Sequence, residues 1–141
     1  MYDAGVPDAY RCMAVVADKC RETGRDFWIV LQVNSRDLGV WQSENRLRHQ
    51  AYAALAFGAR AINWACWTAG WWEHNVLDEH GEPTQQYEKL RVVNTELKAM
   101  GDEYMRYRSV ATRMLDPHDH PVHFDGFSNL TSENALIVGQ M

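Results

Sequence analysis

The chain has 141 residues, 46% of them hydrophobic, with 14 Lys and Arg against 19 Asp and Glu for a formal charge of −5. That length suits one ordinary domain with a core, and the acidic balance argues against nucleic acid or an anionic membrane as the main partner. No apolar run reaches the roughly 18 residues of a membrane span, and the opening MYDAGVPDAYR carries acids and no apolar h-region, so no signal peptide is expected there.

In chain order, Pro7 and Asp8 open a first helix. Its apolar residues Tyr10, Met13, Ala14 and Ala17 recur at helical spacing as far as Arg21. Gly24 stops it, because glycine adopts positive φ without strain. Residues 27–33, FWIVLQV, are a near-continuous run of β-formers. Such a run predicts a strand buried on both faces, as in a parallel sheet. After the loop NSRDLGVWQ, Ser43 is placed as an N-cap with Glu44 in the first turn. The second helix then runs to about Phe57. It buries Leu47, Ala51, Ala54 and Leu55, and Gly58 ends it.

Residues 61–68 predict a second strand, and tryptophans crowd its end. Trp64, Trp67, Trp71 and Trp72 fall within nine residues. Trp64 and Trp67 are an odd number apart, so strand alternation sends them to opposite sides. Trp67 is the one expected to face inward. The turn DEHG at 78–81 leads to Thr84, which caps a third helix reaching about Met100. Its stripe is Tyr87, Leu90, Asn94, Leu97 and Met100. The order αβαβα predicts parallel strands with crossover helices. From residue 108 the tail turns rich in turn dipeptides, with β-like runs at 121–124 and 135–139. It reads as the opening of a β-rich module. Two strands cannot close a barrel, and a strand buried on both sides needs neighbours. The chain is therefore expected to be a piece of a larger fold or to need a partner.

The three cysteines, Cys12, Cys20 and Cys66, form neither an even set nor a CxxC pair. They are read as buried free thiols, packed as small apolar residues. Phosphate loops, nucleophile elbows and nucleotide fingerprints are absent, and no cofactor is expected.

Four stretches together carry a resemblance. They are FWIVLQ at 27–32, LRHQAYAALAFGARAI at 47–62, Leu77 and Asp78 with Gly81, Pro83, Thr84 and Tyr87, and then Val93, Asn94, Glu96 and Leu97. In this order and spacing they resemble the last quarter of (β/α)8-barrel glycoside hydrolases related to the family 42 β-galactosidases. The likeness spans about residues 10–105. It implies a partial barrel from about helix six to helix eight. Residues 1–107 would be barrel and residues 108–141 the start of a β-sandwich-like module. Residues 27–33 would be barrel strand seven and residues 61–68 strand eight. The implied partner is a galactoside or a related glycoside.

Barrel enzymes carry their sites at the C-terminal ends of the strands. Retaining glycosidases need two carboxyls about 5–5.5 Å apart. The resemblance implies a glutamate nucleophile at the end of strand seven, where this chain has Gln32. An amide forms no glycosyl ester, so the chain alone is expected to be inactive. Gln32 and Asn34 are candidates for bonding to substrate, with Gln32 equally readable as a glutamine satisfied by its neighbours. Trp67, Trp71 and Trp72 are candidate stacking surfaces, because a sugar ring has apolar C–H faces and polar edges. They are also readable as packing aromatics. Trp41 is a weaker member of the same set. Glu73 is the best-placed carboxylate and a weak catalytic candidate. Glu44 reads as helix-terminal charge, Asp78 as a turn former, and Asp37 and Glu79 complete the set near the mouth.

Two alternatives stand beside the glycosidase reading. One is a non-catalytic carbohydrate-binding or structural barrel that kept the aromatic wall. The other is a small metal-binding protein that uses His118, His120 and His123, since His118 and His120 would share one strand face. Proline-broken turns flanking a short strand account for the same histidines without a metal.

Overall fold

The computed structural model describes residues 6–35, 41–68, 73–115, 122–124, 127–130 and 136–141. Its elements are α1 (Val6–Thr23), β1 (Phe27–Gln32), α2 (Glu44–Ala56), β2 (Ala59–Ala65), α3 (Gln85–Tyr104), β3 (Ala111–Leu115), β4 (Val122–Phe124), β5 (Phe127–Leu130) and β6 (Leu136–Gln140). The fold is mixed α/β.

Local chemistry sets the helix starts where the sequence places them. The Ser43 hydroxyl accepts from the Arg46 amide, and the Thr84 hydroxyl accepts from the Gln86 amide. Each thereby satisfies an amide that the first helical turn leaves without a partner. Gly58 closes α2 at φ +91°, and a side chain there would run into Ser109. The chain turns at once into β2, which begins at Ala59 rather than Ala61. α3 passes Met100 and continues to Tyr104. The physical reason is an anchor at its far end: the Tyr104 hydroxyl lies 3.0 Å from the carbonyls of both Leu55 and Ala59.

β1 and β2 pair in parallel, with Ile29 opposite Ile62 and Leu31 opposite Trp64. α2 is the crossover between them. One face of this sheet is covered. Phe27 and Leu31 of β1 are buried with Tyr10, Met13 and Ala17 of α1, with Leu47, Ala51 and Ala54 of α2, and with Leu90 and Val93 of α3. α2 and α3 are tied at their surfaces by Arg48. Its guanidinium holds Glu96 through two bonds, of 2.8 and 2.7 Å, and also pairs with Glu44.

Among the described residues the other face is open at Trp28 and Val30 and closed only at its Gln32 end, which corrects the expectation of burial on both sides. Trp28 is 67% exposed and Val30 53%. Their cross-strand partners Ala61 and Asn63 lie on the same open face. An unbroken apolar run suits burial on both faces but does not say that the second layer belongs to the same stretch of chain, so the sequence pattern overstated burial here. Cys12 is a second correction. It is exposed, while Cys20 and Cys66 are partly buried.

In the tail, β3 and β6 pair antiparallel, as do β4 and β5. β3 and β5 lie outside the two β-like runs read from the sequence. The β3–β6 pair leans on the end of α2. The Thr112 hydroxyl donates to Ala56 O at 3.1 Å, Ile137 packs against the core, and a Cβ at Gly139 would strike the Ala56 carbonyl. Among the described residues no helix is long and apolar enough to cross a membrane.

Candidate functional site

The C-terminal ends of β1 and β2 are held by carboxamide side chains. Asn34 is the centre. Its Nδ2 donates to Cys66 O at 3.1 Å and to Asn75 Oδ1 at 2.8 Å, while its Oδ1 accepts from the Cys66 amide at 3.3 Å. Asn34 thus clips β1 to β2 and both to the loop that follows β2. Gln50 of α2 treats β1 as a neighbouring strand would. Its oxygen accepts from the Gln32 amide at 3.3 Å, and its nitrogen donates to the Gln32 carbonyl at 3.0 Å. Gln32 itself is turned inward, and its Nε2 donates to Asn34 O at 2.7 Å. Gln86 of α3 donates to Val33 O at 2.9 Å. Gln32, Asn34, Gln50 and Gln86 are all buried. Of the candidate substrate-bonding residues, Asn34 therefore spends both ends of its amide on the scaffold, and Gln32 spends its amide nitrogen there. Buried amides are costly unless bonded, so this network fixes the strand ends with little freedom to reorganise.

Trp67 stands out from this frame. The amide of Leu77 donates to its carbonyl at 3.1 Å, which fixes its backbone. The residue is 46% exposed, and its ring meets that of Tyr87 edge-on, with centroids 6.5 Å apart. The two rings border a cleft of about 230 Å³ whose polar wall is Arg91, Asn94, Thr95 and Lys98, all on α3. Asn94 Oδ1 accepts from the Trp64 indole at 2.9 Å, which leaves its amide nitrogen for the cleft. Arg91 pairs with Glu88 at 2.8 Å. The geometry is a half-open aromatic plate with hydrogen-bond donors along one side.

Trp64 faces the helix layer as alternation predicts. Trp67 does not face the opposite side. β2 ends at Ala65, so alternation no longer governs residue 67, and its indole lies against α3 as Trp64 does.

A second aromatic group was legible only in part. Trp41 stacks on His74 with centroids 4.1 Å apart and planes 29° apart. Lys89 Nζ sits 5.4 Å from the Trp41 centroid and donates to Gln42 O at 3.2 Å. His74 and Lys89 carried no sequence signal, because this contact joins the loop before α2, the loop after β2 and a turn of α3. Gln42, Asn75 and Gln86 were missed for the same reason.

The carboxylates divide differently. Glu73 is exposed, and its backbone exchanges hydrogen bonds with Ser35 at 2.8 and 3.2 Å. Glu44 is paired with Arg48 at the start of α2. Asp78 Oδ1 accepts from the His80 and Glu82 amides at 2.8 and 2.9 Å and so shapes the turn, as its spacing suggests. Trp71, Trp72, Asp37, His118 and His120 lie outside the described residues, and His123 is placed on β4 by its backbone alone. Among the described residues no three His, Cys, Asp or Glu side chains are grouped to hold a metal ion.

Comparison of the chain with protein-family models, with curated proteins and with solved structures returned no match in any of the three.

Proposed function

We propose that this chain forms the last βα units of a barrel of the glycoside hydrolase type related to the family 42 β-galactosidases, and that it supplies a sugar-stacking surface rather than the catalytic carboxyls. The observation that carries the reading is the half-exposed Trp67 at the end of a parallel strand, beside Asn94, Arg91 and Lys98. An indole plate takes the C–H face of a pyranose, and donors along its edge bond the hydroxyls. The open face of the β1–β2 sheet supports the barrel part, since that face is the one a closed barrel fills with side chains. Gln32, held inward on Asn34 O, supports the inactivity of this chain by itself.

Titration with methyl β-galactoside tests it. Trp67 should respond in its indole N–H resonance and in fluorescence, with an affinity of about 1 mM, roughly −4 kcal/mol. Trp67→Ala should remove the response and leave the circular dichroism unchanged, and no nitrophenyl galactoside should be cleaved. A response that survives Trp67→Ala, or none at all, sinks the stacking surface. The coding DNA ahead of Met1 tests the barrel separately: about six further βα units are expected.

The non-catalytic carbohydrate-binding barrel is the second reading, favoured by the same inward Gln32. It predicts that the preceding strand ends offer no close pair of carboxyls.

A further inference from the structure

We propose that the opposite end of the sheet, where β1 and β2 begin, carries a site for a phosphate group. A cavity of about 340 Å³ opens there, and four arginines line it: Arg21, Arg25, Arg60 and Arg108. Asp26 is the one carboxylate in the lining, and Asp18 pairs with Arg21 beside it. The chain as a whole carries −5, so this concentration of cations runs against its average.

The four guanidiniums divide into two pairs. Arg21 and Arg60 are fixed parts of the wall. Arg21 donates to Ser109 Oγ at 3.0 Å and to Phe57 O at 3.4 Å, and also pairs with Asp18. Arg60 donates to Tyr107 O at 2.6 Å and Met105 O at 3.1 Å, and its Nε is buried without a partner. Arg25 and Arg108 are exposed. Arg108 faces Asp26 at 3.6 Å, a separation at which two solvated groups bind weakly. Arg25 has no side-chain partner among the described residues. Two available guanidinium forks and two immobile positive charges therefore surround one space.

A tetrahedral phosphate matches this arrangement. Each planar fork presents two parallel N–H donors to two oxygens, and a dianion leaves an oxygen for a second fork. Arg21 and Arg108 already face Asp18 and Asp26, so the bound dianion balances the charges of Arg25 and Arg60, for which the described residues supply no carboxylate. A single carboxylate offers one such edge and half the charge. This site is independent of the Trp67 cleft, which lies at the other end of the strands.

The test uses the whole chain with inorganic phosphate, with a sugar phosphate monoester, and with sodium chloride at matched ionic strength. Phosphate should raise the melting temperature above the chloride control and shift the backbone amides of Arg25, Asp26 and Ser109. The double substitution Arg25→Gln with Arg108→Gln should weaken binding at least about tenfold while the circular dichroism stays as it was. Tighter binding of the monoester identifies an esterified ligand, and equal binding identifies free phosphate. A shift no larger than chloride gives overturns the proposal. So does a double variant that binds phosphate as the parent does.

Discussion

The Tyr104 hydroxyl shows how one atom ends a helix in a defined place. It sits between the carbonyls of Leu55 and Ala59, at the junction of α2 and β2. Burial pushes its pKa up from 10.0 to about 12, while nearby Arg60 pulls slightly the other way. The folded state therefore resists ionisation that the unfolded state accepts. The sign follows from linkage: the contribution is whole below pH 10.0 and is lost as pH rises through about 12. Tyr104→Phe should cost about 1 kcal/mol near neutral pH, the net worth of one internal hydrogen bond. The same variant should flatten the alkaline loss of stability. Urea denaturation of both proteins across that window checks it, and parallel slopes would refute the assignment.

At the scale of elements, α2 is the piece on which the rest converges. Its first turn is capped by Ser43, its face builds the core, and its last carbonyls accept the hydroxyls of Tyr104 in α3 and Thr112 in β3. Gly139 of β6 lies directly against the Ala56 carbonyl, with no room for a Cβ. Gly139→Ala must push β6 off the helix end, at a cost of about 1–3 kcal/mol. Hydrogen exchange would show the loss as faster exchange in β3 and β6 with α1 unaffected, and uniform acceleration would count against this docking. The helices and their caps were legible because capping and the 3.6-residue period are local signals, as Ser43 and Thr84 illustrate. The parallel strands were legible from the αβαβα order. The side on which Trp67 lies was not legible, because it depends on β2 stopping at Ala65. Nor was the Asn34 clip, which joins residues 34, 66 and 75 across three separate segments. Gln32 had two readings in the sequence, a substrate-bonding residue or a glutamine satisfied by its neighbours, and in the structure its Nε2 donates to Asn34 O.

For the whole molecule, the open face of the sheet sets the main energetic question. Two parallel strands alone make a marginal sheet, and here one face is packed while Trp28 and Val30 stand 67% and 53% exposed on the other. Large apolar side chains exposed on one sheet face are the kind of surface that a further layer would cover. In the barrel we propose, that same face points inward, among side chains from the other strands. One substitution separates the two environments. Trp28→Lys in this chain removes exposed apolar surface, so it should change stability by no more than about 0.5 kcal/mol. It should also lower dye binding and self-association in sedimentation. In a longer protein that includes the preceding βα units, the same lysine would have to enter a filled interior. There it loses the packing of an indole and strands an ammonium without water, costing about 3 kcal/mol or more. Denaturation of both lengths, parent and variant, decides the matter. A loss of similar size in the two lengths would mean that the face meets the same surroundings in both, and the barrel would lose its strongest structural support.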